Sequence, residues 1–367
     1  MGEIKTSESP DITFNALLIE AASHMMMNEN TRAMEILSKC EKIKIKFDLN
    51  IINSSYYKYM GTVHAKLSNY IKALEYYYKF LSAVKKEGKE AKVGIAYNNI
   101  GLVFIYLGNH EKALANLYET RKIMRKLGNK SSEAKVLNNI GICQTELKNY
   151  KSSLEYYMES LKIKEELGDK EGIGNALNNI GQTYFYLNDM KKSLKFTKKA
   201  EKIAIELDNK KRMAAVFTNM GRIYMKKGEM ERGEEYLLNS VKIKVKLNDK
   251  WEIAFTLKIL SELYMSMGDN NKALPHAKNS LALSREIGSN KLTSEILLLT
   301  SEIQKNQGDY KQSLESYSEY TKTREKFINE KSRDKIEELK ISYEIEKMDH
   351  RIKFLEKENE LKSRDIL

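Results

Sequence analysis

An all-α array of helical hairpins is the fold this sequence predicts, on three observations: a forty-residue period, two columns of small residues inside it, and glycines placed to end helices. The tetrapeptide Asn-Asn-Ile-Gly stands at 98–101, 138–141 and 178–181, and Thr-Asn-Met-Gly follows at 218–221. A fixed period of this length marks a repeat architecture. Extending it in both directions reaches Ala21, Gly61, Ser261 and Ser301, so one column of small residues runs through eight copies. Twelve residues further on, a second column reads Ala33, Ala73, Ala113, Ser153, Ser193, Gly233, Ala273 and Ser313.

Between the columns lie short breaker clusters, Leu107-Gly108-Asn109, Asn188-Asp189 and Met267-Gly268-Asp269. They fit a tight turn between two antiparallel helices. Small residues at facing positions let two helices approach closely while larger neighbours interdigitate. Those neighbours keep the register: Leu17, Tyr57, Tyr97, Leu137, Leu177, Phe217, Leu257 and Leu297 stand four residues before the first column, and Phe104, Tyr184, Tyr224 and Tyr264 three after it. Gly88, Gly128, Gly168 and Gly288 follow the last apolar turn of a unit, where a left-handed residue ends a helix. Ser131 or Ser132, and Asp169, then offer side-chain acceptors to start the next helix.

These residues resemble the tetratricopeptide-repeat family, whose pattern places a bulky residue, Leu-Gly, an aromatic, and later Ala and an aromatic at such intervals. The resemblance covers about residues 14 to 327, after a short tail at 1–13. The commonest unit of the family has 34 residues and ends in proline. The forty-residue unit here is similar to the longer branch found in kinesin light chain and in bacterial sensor proteins. The resemblance implies a right-handed superhelical solenoid of about eight hairpins, followed by a long C-terminal helix over 328–367, and peptide or protein binding as the role.

In such a stack the first helix of each hairpin lines a concave groove, as the resemblance implies, and the residue two before each glycine faces it. That residue is Asn99, Asn139, Asn179 and Asn219 in the middle copies, and Tyr59, Ile259 and Leu299 in outer ones. An amide carries both a donor and an acceptor, so a row of them can pair with an extended peptide backbone whatever its side chains. The alternative is hydrogen bonding between neighbouring repeats, the role expected of the second row, Asn98, Asn138 and Asn178. Steps of three and four along the same face add Ile95, Leu102 and Tyr106; Lys135, Ile142 and Glu146; Asn175, Gln182 and Tyr186; and Ala215, Arg222 and Lys226. From these, Tyr106, Lys135, Gln182, Tyr186, Arg222 and Lys226 join the four asparagines as candidate peptide-binding residues. Apolar anchors at one end and a basic pair at the other suit a ligand with apolar side chains and a carboxylate.

After Gly308 there is neither glycine nor proline up to Leu367, which predicts one long helix. Its first part, with Phe327 and Ile328, is expected to cap the last hairpin. Ile341, Ile345, Met348, Ile352, Leu355 and Asn359 step by four and three, a short heptad seam that suits a homodimer. A repeat array running into such a helix also resembles bacterial regulators in which it links a sensor to a histidine kinase, a diguanylate cyclase or a transcription regulator. The alternative function is therefore the sensory and dimerisation part of such a regulator. His350 lacks the context of a phosphoacceptor.

Charge and composition set the remaining bounds. The formal charge of +12 is spread over helix faces, and from Ile328 onward 10 basic side chains meet 11 acidic ones. No basic and aromatic surface for nucleic acid stands out, so none is expected as a partner. No apolar run approaches the roughly 20 residues of a membrane span, and the acidic start, without an apolar core, predicts a cytoplasmic protein with no membrane partner. Met1-Gly2 with Thr6 matches an acylation pattern too loosely to carry weight. Cys40 and Cys143 fall in apolar helical pattern and predict buried thiols. His24 and His64 occupy equivalent places but lack a third ligand, and no acid, base or nucleophile set surrounds His110 or His276. The expectation is a non-enzymatic chain with no cofactor.

Overall fold

The computed structural model describes residues 9–47 and 54–364, and among them there are sixteen α-helices and no strand. Contacts divide the chain into two compact units, Met1–Asn139 with Arg333–Leu367, and Ile140–Ser332. The first unit holds α1 (Pro10–Met26), α2 (Asn30–Lys46), α3 (Ser54–Lys66), α4 (Tyr70–Lys86), α5 (Glu90–Tyr106) and α6 (His110–Lys126). The helix α7 (Lys130–Glu146) contributes residues to both units. The second unit holds α8 (Tyr150–Glu166), α9 (Lys170–Tyr186), α10 (Met190–Glu206), α11 (Lys210–Lys227), α12 (Met230–Lys246), α13 (Lys250–Ser266), α14 (Asn270–Glu286) and α15 (Asn290–Asn306). The last helix, α16 (Tyr310–Arg364), belongs to the second unit up to Ser332. Odd and even helices pair as antiparallel hairpins, the arrangement of a helical-repeat solenoid.

The small columns set how closely each pair packs. A Cβ on Gly141 would lie 2.5 Å from the ring of Tyr157, and one on Gly181 would lie 2.3 Å from Thr197 Oγ1. Across the same contact Ser153 Oγ donates to the Gly141 carbonyl at 3.1 Å and Ser193 Oγ to that of Gly181 at 2.8 Å. A serine in the second column therefore satisfies its buried hydroxyl on the partner backbone, twelve residues back. Leu177, Ala200, Val216, Met220 and Tyr224 then bury together between successive hairpins of the second unit.

The helix ends follow the sequence with one correction. Gly88, Gly128, Gly168 and Gly288 all have positive φ, between 64° and 67°. Asp169 Oδ1 accepts from the Gly172 N–H at 2.9 Å as expected. At α7, however, neither Ser131 nor Ser132 is the acceptor: Asn129 Oδ1 receives the Ser132 N–H at 3.0 Å. The left-handed Gly128 brings the very next residue to the cap position, so the helix begins before either serine. Cys40 and Cys143 are fully buried, and burial pushes the Cys143 thiol up to about 12.

Beyond Ile328 the helix α16 still touches the last hairpin, where Glu330 Oε1 accepts from Asn290 Nδ2 of α15 at 2.8 Å. With no glycine or proline to end it, α16 continues as one helix, with Phe327 half-buried and Ile328 exposed. In the first unit its Glu338 is buried, with Asn109 Nδ2 at 2.9 Å and Lys112 Nζ at 2.7 Å. Burial alone would raise this carboxyl, but the bonds from Lys112, Asn109 and Lys335 outweigh it and hold it below the usual carboxylate range. The expected seam from Ile345 onward lies outside the residues whose side chains are described, as does His350; the tail at 1–8 lies outside the described residues altogether.

Candidate binding face

The first helices of the hairpins carry the candidate residues. In the first unit, α5 presents Asn99 and Tyr106, and α7 presents Lys135 and Asn139. Both asparagines are half-buried, and neither amide has a hydrogen-bond partner among the described residues. Tyr106 is 66% exposed, yet its ring is held: it stacks on Tyr70 of α4 with centroids 5.3 Å apart and planes 5° from parallel. Tyr70 opens a second helix and Tyr106 closes the following first helix, so a spacing of 36 residues brings the pair together. Lys135 is exposed with no carboxylate partner among the described residues.

The second unit repeats the aromatic device and adds a cation. Tyr186, at the end of α9, stacks on Tyr150 of α8 at 5.5 Å, the same 36 residues apart. Gln182, one turn earlier, donates from Nε2 to the Tyr186 hydroxyl at 3.3 Å. Arg222 of α11 lays its guanidinium 4.7 Å from the Phe185 ring centroid and 5.8 Å from that of Tyr186. No carboxylate neutralises it among the described residues. A cation over an aromatic ring is attracted by the ring's quadrupole, and a guanidinium so placed can still meet a carboxylate in a fork. Lys226 follows one turn later and is exposed.

The asparagine column itself is not uniform. Asn219 Nδ2 donates to Asn178 Oδ1 at 2.9 Å, so this member of the groove row is already tied to the second row. That is the inter-repeat bond expected for Asn178. Asn179 is half-buried and has a partner of its own. A correction concerns the outer copies: Ile259 and Leu299 do not face a groove but are 3% and 5% exposed, inside one hydrophobic cluster with Leu263 and Ile303. The column runs along the contact between successive first helices, and aliphatic side chains there pack into that contact and close it. The paired tyrosines at a spacing of 36, and Phe185 beneath Arg222, were open to sequence reasoning through the same forty-residue register, but only once both helix ends were placed.

The other candidates fall outside this face. His24 Nδ1 lies 2.6 Å from Glu29 Oε2, and His64 stacks on Tyr76, with burial lowering its basicity. Among the described residues no group of three ligating side chains could hold a metal ion, and no helix is long and apolar enough to cross a membrane.

Residues 52–126 and 132–206, and again 214–244, match family models described as tetratricopeptide repeat. The chain contains tetratricopeptide repeats. No curated protein matches its sequence. Among solved structures, these repeats are similar to a Rap protein complexed with competence and sporulation factor, at 18% identity and TM-score 0.69, covering 89% of this chain and 90% of that one. The apo form of RapI gives 16% and 0.65, over 75% of this chain and 98% of that. The Rap conjugation gene regulator of the plasmid pLS20, in complex with a peptide, gives 18% and 0.61, over 88% and 97%. At such identities the likeness is one of fold: tetratricopeptide hairpins in tandem.

Proposed function

We propose that this chain is a non-catalytic interaction module whose first-helix faces bind an extended peptide or protein segment. One observation carries the reading: the column that is sealed by aliphatics at Ile259 and Leu299 holds, at Asn99 and Asn139, half-buried amides with no partner among the described residues. A half-buried amide left unbonded has poorer access to water than a surface one, and a guest backbone supplies both of its missing bonds. In the second unit, Arg222, its guanidinium over the Phe185 and Tyr186 rings, suits a carboxylate of the guest. That a fold neighbour was solved with a peptide supports the class of ligand. A second reading, the sensory part of a regulator whose output lies on another chain or segment, draws on the length of α16, 55 residues in one helix.

The test uses an immobilised array of random decapeptides. The unaltered chain should capture a subset of them, and Asn99→Ala with Asn139→Ala should lose that subset while thermal unfolding stays unchanged. Capture that survives the double substitution, or no capture by the unaltered chain, refutes the peptide reading.

A further inference from the structure

We propose that two copies of this chain pair through the exposed face of α16 between Tyr310 and Glu325, antiparallel, about a two-fold axis at Tyr317. The inference stands apart from the peptide reading and uses a different surface. It starts from a face that every internal second helix covers. In α14, Ala277, Ser280 and Ser284 are fully buried, and Thr293 of the following α15 bonds to Ser284 at 3.0 Å. In α12 the corresponding Leu237, Ser240 and Lys244 are buried as well, and Lys244 reaches Thr256 of α13 at 2.7 Å. This is the face on which the next hairpin lands.

In α16 the same positions are Tyr317, Tyr320 and Arg324, and no further hairpin follows them among the described residues. Tyr317 is 48% exposed, its neighbour Leu314 is 69% exposed, and Tyr310 and Arg324 are exposed too. Tyr310, Leu314, Tyr317 and Arg324 lie on one stripe, at steps of four, three and seven, the register of a helix-pairing seam.

The occupant follows from the charges beside the stripe. Lys311 and Glu325 flank it, both exposed and neither with an ion-pair partner among the described residues. An antiparallel copy centred on Tyr317 sets Tyr317 against its own equivalent. Arg324, which already donates to the Tyr320 hydroxyl at 2.7 Å, then comes opposite the ring of the second copy's Tyr310. Lys311 comes opposite the second copy's Thr323, two positions from its Glu325 and within reach of that long side chain. By symmetry each pairing occurs twice, so the surface complements itself and the assembly closes at two. One helix pair is a small interface, so the dissociation constant is expected in the micromolar range.

Light scattering and sedimentation equilibrium on the full chain test this across a concentration series. The unaltered chain should move from one copy to two and stop there. Leu314→Glu with Tyr317→Glu should stay a single copy, with unchanged helicity as the check on folding. Lys311→Glu should weaken pairing about tenfold, and adding Glu325→Lys to it should restore it, which a merely sticky surface would not do. A chain that stays single at its solubility limit overturns the proposal. So does a dimer indifferent to Leu314 and Tyr317, a swap that fails to rescue, or growth beyond two copies, which would signal head-to-tail contact with the other end of the array.

Discussion

The residue two before the small column is isoleucine or leucine in α13 and α15 and asparagine in α5, α7, α9 and α11, and the two choices make different surfaces from one register. Ile259 and Leu299 close the contact between successive first helices and join a core with Leu263 and Ile303. Asn219 bridges the same contact through one hydrogen bond to Asn178, and Asn99 and Asn139 make no such bond among the described residues. One register thus gives a sealed seam where the side chains are aliphatic, a bonded bridge at Asn219, and amides without a partner among the described residues at Asn99 and Asn139. The difference lies in what water and a guest can reach, not in how the hairpins are built.

The largest expected effect comes from opening the sealed version. Ile259→Ala removes a nearly fully buried side chain from a cluster that cannot collapse without moving two helices, and should cost about 2–5 kcal/mol of stability. Denaturant unfolding measures it, and a loss comparable to that of Asn139→Ala would erase the distinction drawn between the two kinds of column. Next comes a substitution two residues along, where the column does not vary in kind. Gly141→Leu forces a side chain into the ring of Tyr157, where even a Cβ would lie at 2.5 Å, and should cost about 1–3 kcal/mol. A neutral result would mean that Tyr157 can swing aside and that the small column does not govern the hairpin contact.

Most of this fold was legible because repetition multiplies weak signals. One glycine in a helix says little, but Gly101, Gly141, Gly181 and Gly221 at equal spacing, each answered twelve residues later by Ala113, Ser153, Ser193 and Gly233, leave few arrangements other than a hairpin. What escaped was set by neighbours that the period does not specify. Ile259 and Leu299 have the register of groove residues, and only their mutual packing takes them out of it. The cap at Asn129, by contrast, lies in the same register as Asp169, forty residues later, so the period did specify it and the two serines stood outside that column. For the site, the residues of the candidate face were readable, whereas the ring pairs Tyr70–Tyr106 and Tyr150–Tyr186 and the seat of Arg222 on Phe185 needed helix ends fixed in space. The outward stripe of α16 needed exposures as well as register: Tyr317 takes the position of the fully buried Ala277 in α14 and is 48% exposed, with no further hairpin over it among the described residues.

The smallest effect is the sharpest test of the polar half. Asn219→Ala deletes a bond to Asn178 and leaves that amide short of a partner, which should cost about 1 kcal/mol. Asn139→Ala deletes no bond among the described residues and should fall within about 0.5 kcal/mol of the unaltered chain. The order should invert for ligand capture, where the unpartnered Asn139 has donor and acceptor to offer and Asn219 has already committed one of its groups. Measuring both variants by thermal unfolding and on the same peptide array separates the two roles: stability falls at Asn219, capture at Asn139. If the two asparagines behaved alike in both assays, the column would be a single structural ladder, and the amides of α5 and α7 would hold no place open for a guest.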